Sequence, residues 1–460
     1  MKKGIAFLLI LLMNSSMYFG SSTSSSSIYV GNIASSQYMN MVTPSIKEGG
    51  VMMEGTVGDL YPGSAPENCA DASLTYVGCN GWLEHRPQNG NFHGTTVIID
   101  APLSAQQYYQ IERDNINVDI IKYLVPTSTR NVSVIGNPGK DPLYSDSQLK
   151  WFNETHGIEV LSAFAEIAQS AKVIYIPMDF VSKGYAFTDI VQDTTIWKWL
   201  RDNVDTYDID VISMSWNIFT KTPYSAVSSI GVSSVIDELY NKGVFMVTAM
   251  GNAGEYTGNY FPQNHEHVYG VGSVDHESRG EYFTTGYVHH FLGFSWTTYS
   301  TTYDPDYYSR MGSPSGDAVG SPLKTSYGTS NPGPSATDFA MPGNGVPVRE
   351  PYVTVYRYGM GTSYSTPYFA AAVLVGIHAF NLGHLHTGYV YKDPSVDKLY
   401  QLLKEAASGG GNFNYKLGYG SINLLDLYDG AYNAGWFVGA GGSLSGSSSG
   451  GVNCIPGYPC

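Results

Sequence analysis

From Thr95 onward, short apolar runs alternate with amphipathic segments. "TVIID", ending at Asp100, reads as a buried strand. In "HGIEVLSAFAEIAQSA", which begins at His156, the apolar residues Val160, Leu161, Phe164, Ile167, Ala168 and Ala171 recur at helical spacing and define one face of a helix. "KVIYIPM" is the next strand, "DTTIWKWLRDN" a helix and "DIDVISMSW" a strand. "VSSVIDELYNKG" gives a helix that stops at Gly243, and "VFMVTAM" and "HVYGVGSV" give two more strands. Strand and helix alternating in this way predict an α/β protein, a three-layer parallel sheet with helices on both faces.

The flanks follow other patterns. Residues 1–22 carry two lysines, nine apolar residues from Ile5 to Met13 and then small polar residues, the order of a secretory signal peptide. Nine is well short of the roughly 20 needed to cross a bilayer, and no later apolar run is read as a span, so the mature chain is expected to be secreted without a transmembrane segment. Residues 23–92 are rich in Ser, Gly, Pro and Met and read as an N-terminal extension or propeptide. The remaining pattern places a catalytic domain at 93–436, a surface insertion without clear periodicity at about 276–335 and a Gly/Ser-rich tail at 437–460.

Composition narrows the function. The chain of 460 residues is 43% hydrophobic, enough for a sizeable core, and its net charge of -15 excludes the basic footprint of a nucleic-acid or anionic-membrane binder. Cys69 with Cys79, and Cys454 with Cys460, are the simplest local pairs among three connectivities in an exported chain. Asn131 and Asn153 begin glycosylation sequons. "NHEHVYG" gathers His265, Glu266 and His267, but its histidines are two apart rather than the four of helical zinc peptidases, so they read as solvated loop residues.

Four residues at strand ends or helix starts carry the candidate chemistry. Ser363, in "GMGTSYSTPYFAAAVLVGIHAF", stands at the entrance of an apolar helix, where backbone N–H groups and the helix dipole favour a developing oxyanion. A hydroxyl needs a base to take its proton, and His156 at the start of its own helix supplies one. Asp100 is the carboxylate that would orient it, and Asn252, after a buried strand, would donate to the oxyanion. The plain alternatives are an N-cap serine, a loop histidine, an aspartate that starts a turn and an asparagine within one.

The chain resembles the subtilisin-like serine proteases, the subtilase family. "GTSYSTPYFAAAVL" is similar to the family's nucleophile box, "THGIEVLS" to its histidine box, "VTAMGNAG" to its oxyanion-asparagine box and "DVISMSWN" to the strand that binds extended peptide. The resemblance implies Ser363 as nucleophile, His156 as base, Asp100 as orienting carboxylate and Asn252 as oxyanion donor. It implies a substrate strand at Ser215, Trp216 and Asn217, with Met250 and Gly251 lining a pocket that prefers apolar residues. Polypeptides are the expected partners. No cofactor is required for the chemistry, and structural calcium is common in the family, with no ligands assignable from the sequence.

Departures from the family pattern are informative. Ala101 and Pro102 follow Asp100 where Thr or Ser and then Gly are usual, Ile158 and Glu159 replace Thr and His, and Trp216 and Asn217 replace Leu and Gly in a way expected to narrow the groove. Glu159 admits a sedolisin-like acid peptidase with a glutamate base, although sedolisins have aspartate where this chain has Asn252. A catalytically silent scaffold is the reading from another class. "HGTT" at His93 imitates the histidine box, but seven strand steps set His93 roughly 23 Å from Asp100, so it is read as a decoy before the first strand.

Overall fold

The computed structural model describes residues 51–53, 56–60, 72–87, 92–113, 118–126, 132–135, 156–177, 194–219, 232–251, 260–263, 265–274, 281–291, 294–304, 337–349, 356–388, 393–413 and 417–440. Two strands, β1 (Val51–Met53) and β2 (Thr56–Leu60), precede two short helices, α1 (Ala72–Tyr76) and α2 (Cys79–Trp82). There follow β3 (Thr95–Asp100), α3 (Ala105–Arg113), β4 (Val118–Pro126), β5 (Val132–Ile135), α4 (His156–Ile167), β6 (Ala171–Pro177) and α5 (Thr195–Tyr207). Next are β7 (Ile209–Met214), β8 (Trp216–Phe219), α6 (Ser233–Asn241), β9 (Phe245–Ala249), β10 (Tyr260–Phe261) and β11 (Val268–Val274). The chain continues through β12 (Glu281–Phe291), β13 (Phe294–Asp304), β14 (Thr337–Pro342), β15 (Asn344–Arg349) and β16 (Tyr356–Met360). Three helices close it: α7 (Thr362–His386), α8 (Val396–Ala406) and α9 (Leu424–Gly439).

The central sheet has the order β14-β11-β9-β7-β3-β6-β4-β5. Its pairs are parallel except β4 with β5. Side chains alternate between its faces with the period of two that a pleated strand imposes. On β3, Ile98 joins the core under α4 and α7, while Val97 and Ile99 join the core under α5 and α6. The molecule is therefore a three-layer α/β sandwich of helices on a parallel sheet.

Two helices are buried more completely than their patterns predict. All twelve residues of α4 are buried, polar face included, because that face is covered as well. Ser162 Oγ, for example, accepts the Arg349 N–H at 2.8 Å. Helix α7 is apolar all round and packs between the sheet and α9. By length and composition it could cross a bilayer, contrary to the sequence reading that no later run is long enough, yet 89% of its apolar window lies inside the protein.

The sequence reading also omitted α3, β4 and β5, and it called the start of the 276–335 insertion aperiodic. There β12 and β13 pair antiparallel from Glu281↔Asp304 to Phe291↔Phe294. Their Thr, Tyr, Phe and Val residues suit a pleated surface without needing a single apolar face. The end of the N-terminal extension is built into the core: Leu74, Trp82 and Phe92 are buried with α4 and α7, and the Trp82 indole N–H donates to the Ile167 carbonyl at 3.3 Å. Cys79 is buried as well. The signal region, the asparagines of both sequons, the other three cysteines and the Gly/Ser tail from 441 lie outside the described residues.

Candidate functional site

The carboxyl ends of the parallel strands bring together residues far apart in sequence. Asp100 is the last residue of β3 and His156 the first of α4, and each is 1% exposed. His156 Nδ1 lies 2.6 Å from Asp100 Oδ1, which also accepts the Ala101 N–H at 2.7 Å. Gly157 makes this approach possible, since a Cβ there would run into the Tyr175 hydroxyl and the Ala101 carbonyl. A carboxylate on Nδ1 selects the Nδ1–H tautomer, which turns the basic lone pair to Nε2 and stabilises the imidazolium once a proton arrives.

Ser363 is the second residue of α7, and its peptide is tied to the loop after β7 in both directions. Ser363 Oγ donates to the Ser215 carbonyl at 3.2 Å, and Ser215 Oγ donates to the Ser363 carbonyl at 2.8 Å. The start of α7 also meets the loop after β9, where Thr362 Oγ1 accepts the Gly251 N–H at 3.1 Å. Gly251 and Met250 are buried there, and Met250 N–H donates to the Val271 carbonyl at 3.1 Å. The serine hydroxyl thus sits at the positive end of a long buried helix, on the rim that also carries the Asp100–His156 pair.

Tyr364 joins the two halves. Its ring centroid lies 6.0 Å from that of His156, and its hydroxyl donates to Glu159 Oε2 at 2.8 Å. Burial, followed by the charges of Glu159 and Asp100, pushes the Tyr364 phenol well above its usual range, so it remains a donor. Glu159 is one turn along α4 from His156 and is spanned by this contact to the serine helix. Sequence reading named Glu159 and missed Tyr364; the available signal was a polar aromatic at a buried helix start beside Ser363.

The proposed substrate strand has neighbours on both edges. β8 pairs antiparallel with β1 on one side and β10 on the other, with Met53↔Trp216, Met52↔Asn217 and Val51↔Ile218 in register. β2 pairs antiparallel with β16, with Thr56↔Met360. Trp216 directly follows Ser215, and Met360 lies three residues before Ser363, so Met53 and Thr56 each pair beside a segment that leads to the serine. Trp216 does not narrow the groove as expected: its indole is fully buried beneath the strand and donates to the Ile99 carbonyl at 2.9 Å. Thr248 Oγ1 donates to the Trp216 carbonyl at 3.1 Å. Asn252 lies outside the described residues, as does the Asn217 side chain.

Three other histidines singled out in the sequence fall elsewhere. His93 stands just before β3, at the opposite end of that strand from Asp100, with Nδ1 at 3.1 Å from Asp208 Oδ2. His265 is 2% exposed rather than solvated, and burial lowers its pKa to about 4. His267 Nδ1 lies 2.8 Å from Asp237 Oδ1, so the "NHEH" turn is anchored to α6.

No curated protein matches the chain. It is similar in structure to fervidolysin from Fervidobacterium pennivorans, described as a keratinolytic enzyme related to subtilisin: 14% identity, TM-score 0.48, over 82% of this chain and 50% of that one. It is also similar to the epidermin leader peptide processing serine protease EpiP from Staphylococcus aureus, at 16% identity and TM-score 0.47, over 81% of both chains. The chain spans only half the length of fervidolysin. Residues 132–420 match the subtilase family, Peptidase_S8, so Asp100 precedes the matched segment and is placed by its contact with His156 alone. With more than half its length in that match, the chain belongs to the subtilase family of serine proteases.

Proposed function

We propose that the protein is a secreted serine endopeptidase that cleaves extended polypeptides through an acyl-enzyme. The observation that carries this reading is the 2.6 Å contact of buried Asp100 with His156 Nδ1 on the rim that presents Ser363. In the proposed cycle His156 takes the Ser363 proton and later gives it to the leaving amine, Asp100 holds the imidazole, and Asn252 donates to the oxyanion. For proton transfer, Ser363 Oγ turns from the Ser215 carbonyl towards Nε2, a tightening expected when substrate binds. Substrate adds as a strand on β8, as β1 does, and Met250 and Gly251 favour an apolar side chain before the cut. Comparing wild type with Ser363→Ala on a peptide library tests both points; equal cleavage after charged residues would contradict the pocket assignment.

The same strand pairing supports a reading of the extension. β1 lies where substrate would lie, and β2 lies on the strand leading into Ser363, so we propose self-cleavage between Met53 and Thr56. The active chain is expected to begin at residue 54, 55 or 56, and Ser363→Ala to retain the uncut extension. N-terminal sequencing decides it; a uniform start well away from 54–56 would refute the proposed cut. We further propose export directed by residues 1–22, with Cys69–Cys79 and Cys454–Cys460 disulfides, testable by peptide mapping of the unreduced secreted chain.

The glutamate-base alternative is disfavoured by the engagement of Glu159 with Tyr364 and of His156 with Asp100. Activity at pH 3 that survives His156→Ala and disappears with Glu159→Ala would support it. A silent scaffold would show no labelling of Ser363 by a serine-directed phosphonate.

A further inference from the structure

At the amino-terminal end of the sheet, away from Ser363, a second group of ionisable residues converges. Asp208 caps α5 in left-handed backbone, Asp210 is the second residue of β7, and Asp393 lies just before α8. Each places a carboxylate oxygen within 4.8 Å of the other two.

Asp210 is the unusual member. It is 7% exposed, and its Oδ2 is buried without a hydrogen-bond partner. The carboxylate lies in space left by Gly94, where φ is +92° and an added Cβ would collide with Oδ2. A buried carboxylate beside two others is costly unless a proton or a cation neutralises it.

The surroundings hold the outer oxygens. His93 Nδ1 lies 3.1 Å from Asp208 Oδ2 and its Nε2 lies 3.7 Å from Asp393 Oδ1, while Asn381 Nδ2 donates to Asp393 Oδ1 at 2.6 Å. Each contact occupies one oxygen of a carboxylate, the kind of outer support that orients ligands around an ion. His93 supplies at most one positive charge against three negative ones. His378, facing the group from α7, accepts the His93 N–H at 3.2 Å and is held neutral by burial.

The donors fit a hard cation. Carboxylate oxygens within 4.8 Å of one another can share one ion, and calcium takes such oxygens at about 2.3–2.6 Å in flexible geometry, whereas magnesium demands near-ideal octahedral geometry and keeps several waters. We propose that Asp208, Asp210 and Asp393 bind one calcium ion, which ties the α5–β7 junction to the segment before α8. The "HG" of residues 93–94 then has its own purpose: His93 braces two of the ligands and Gly94 makes room for the third.

Full-length protein carrying Ser363→Ala, which prevents self-digestion, permits a test independent of catalysis. Calcium stoichiometry is measured by equilibrium dialysis, and melting temperature with calcium and with chelator. The parent should bind one equivalent more than Asp210→Asn or Asp393→Asn, and each variant should lose the calcium-dependent rise in melting temperature that this site gives. Asp393 is 40% exposed, so its variant remains informative if Asp210→Asn does not fold. Unchanged stoichiometry in Asp393→Asn would overturn the proposal. So would an Asp210→Asn protein that melts above its parent by the same margin with calcium as with chelator, which would mean that Asp210 merely carries a proton.

Discussion

A carboxylate 56 positions before a histidine is the contact on which the proposed chemistry turns. Asp100→Asn keeps the shape but stops selecting the Nδ1–H tautomer, so kcat should fall by about 10⁴ while the melting temperature stays near that of the parent. A stopped assay alongside a thermal melt distinguishes this from loss of fold. Tyr364→Phe removes a hydrogen bond to a charged group in the core and should cost about 1.5–3 kcal/mol in urea unfolding. Asp100 and His156 were legible because each falls where an apolar pattern ends or begins. Tyr364 was not, because its partner lies 205 positions away and only the packing of α7 on α4 introduces them. Trp216 was misjudged for a similar reason: sequence shows a bulky residue on the strand, while the side it takes depends on the Ile99 carbonyl beneath it.

At the level of elements, the alternation of strands and helices was readable wherever apolar residues had one clear period. α4 shows the limit of that signal, because its pattern predicts a single buried face and the protein covers all of it. The start of α4 passes so close to the end of β3 that Gly157→Ala must displace either Tyr175 or the Ala101 backbone. That substitution should cost roughly 1–3 kcal/mol, as overpacking usually does. It should also lower kcat more than it raises KM, since it shifts His156 against Asp100. β12 and β13 escaped notice because Thr- and Tyr-rich strands lack an apolar stripe, although their residue types favour a pleat.

For the molecule as a whole, buried histidines set the response to acid. Burial lowers His378 and His265 to about 4, below the ordinary histidine value of about 6.5. Between those values the unfolded chain takes up protons that the folded chain refuses, so stability is full above about pH 6.5 and declines as pH falls towards 4. Urea titrations at pH 7, 6 and 5 with chelator present should show the decline, with a shallower slope for His378→Gln. The central claim, that Asp100 and His156 activate Ser363, is tested most directly by phosphonate labelling of the secreted protein with the labelled residue mapped by mass spectrometry. The label should fall on Ser363, disappear in Ser363→Ala and form at least about 10³ times more slowly in His156→Ala. A folded wild type that takes no label, or takes it on another residue, would contradict the account.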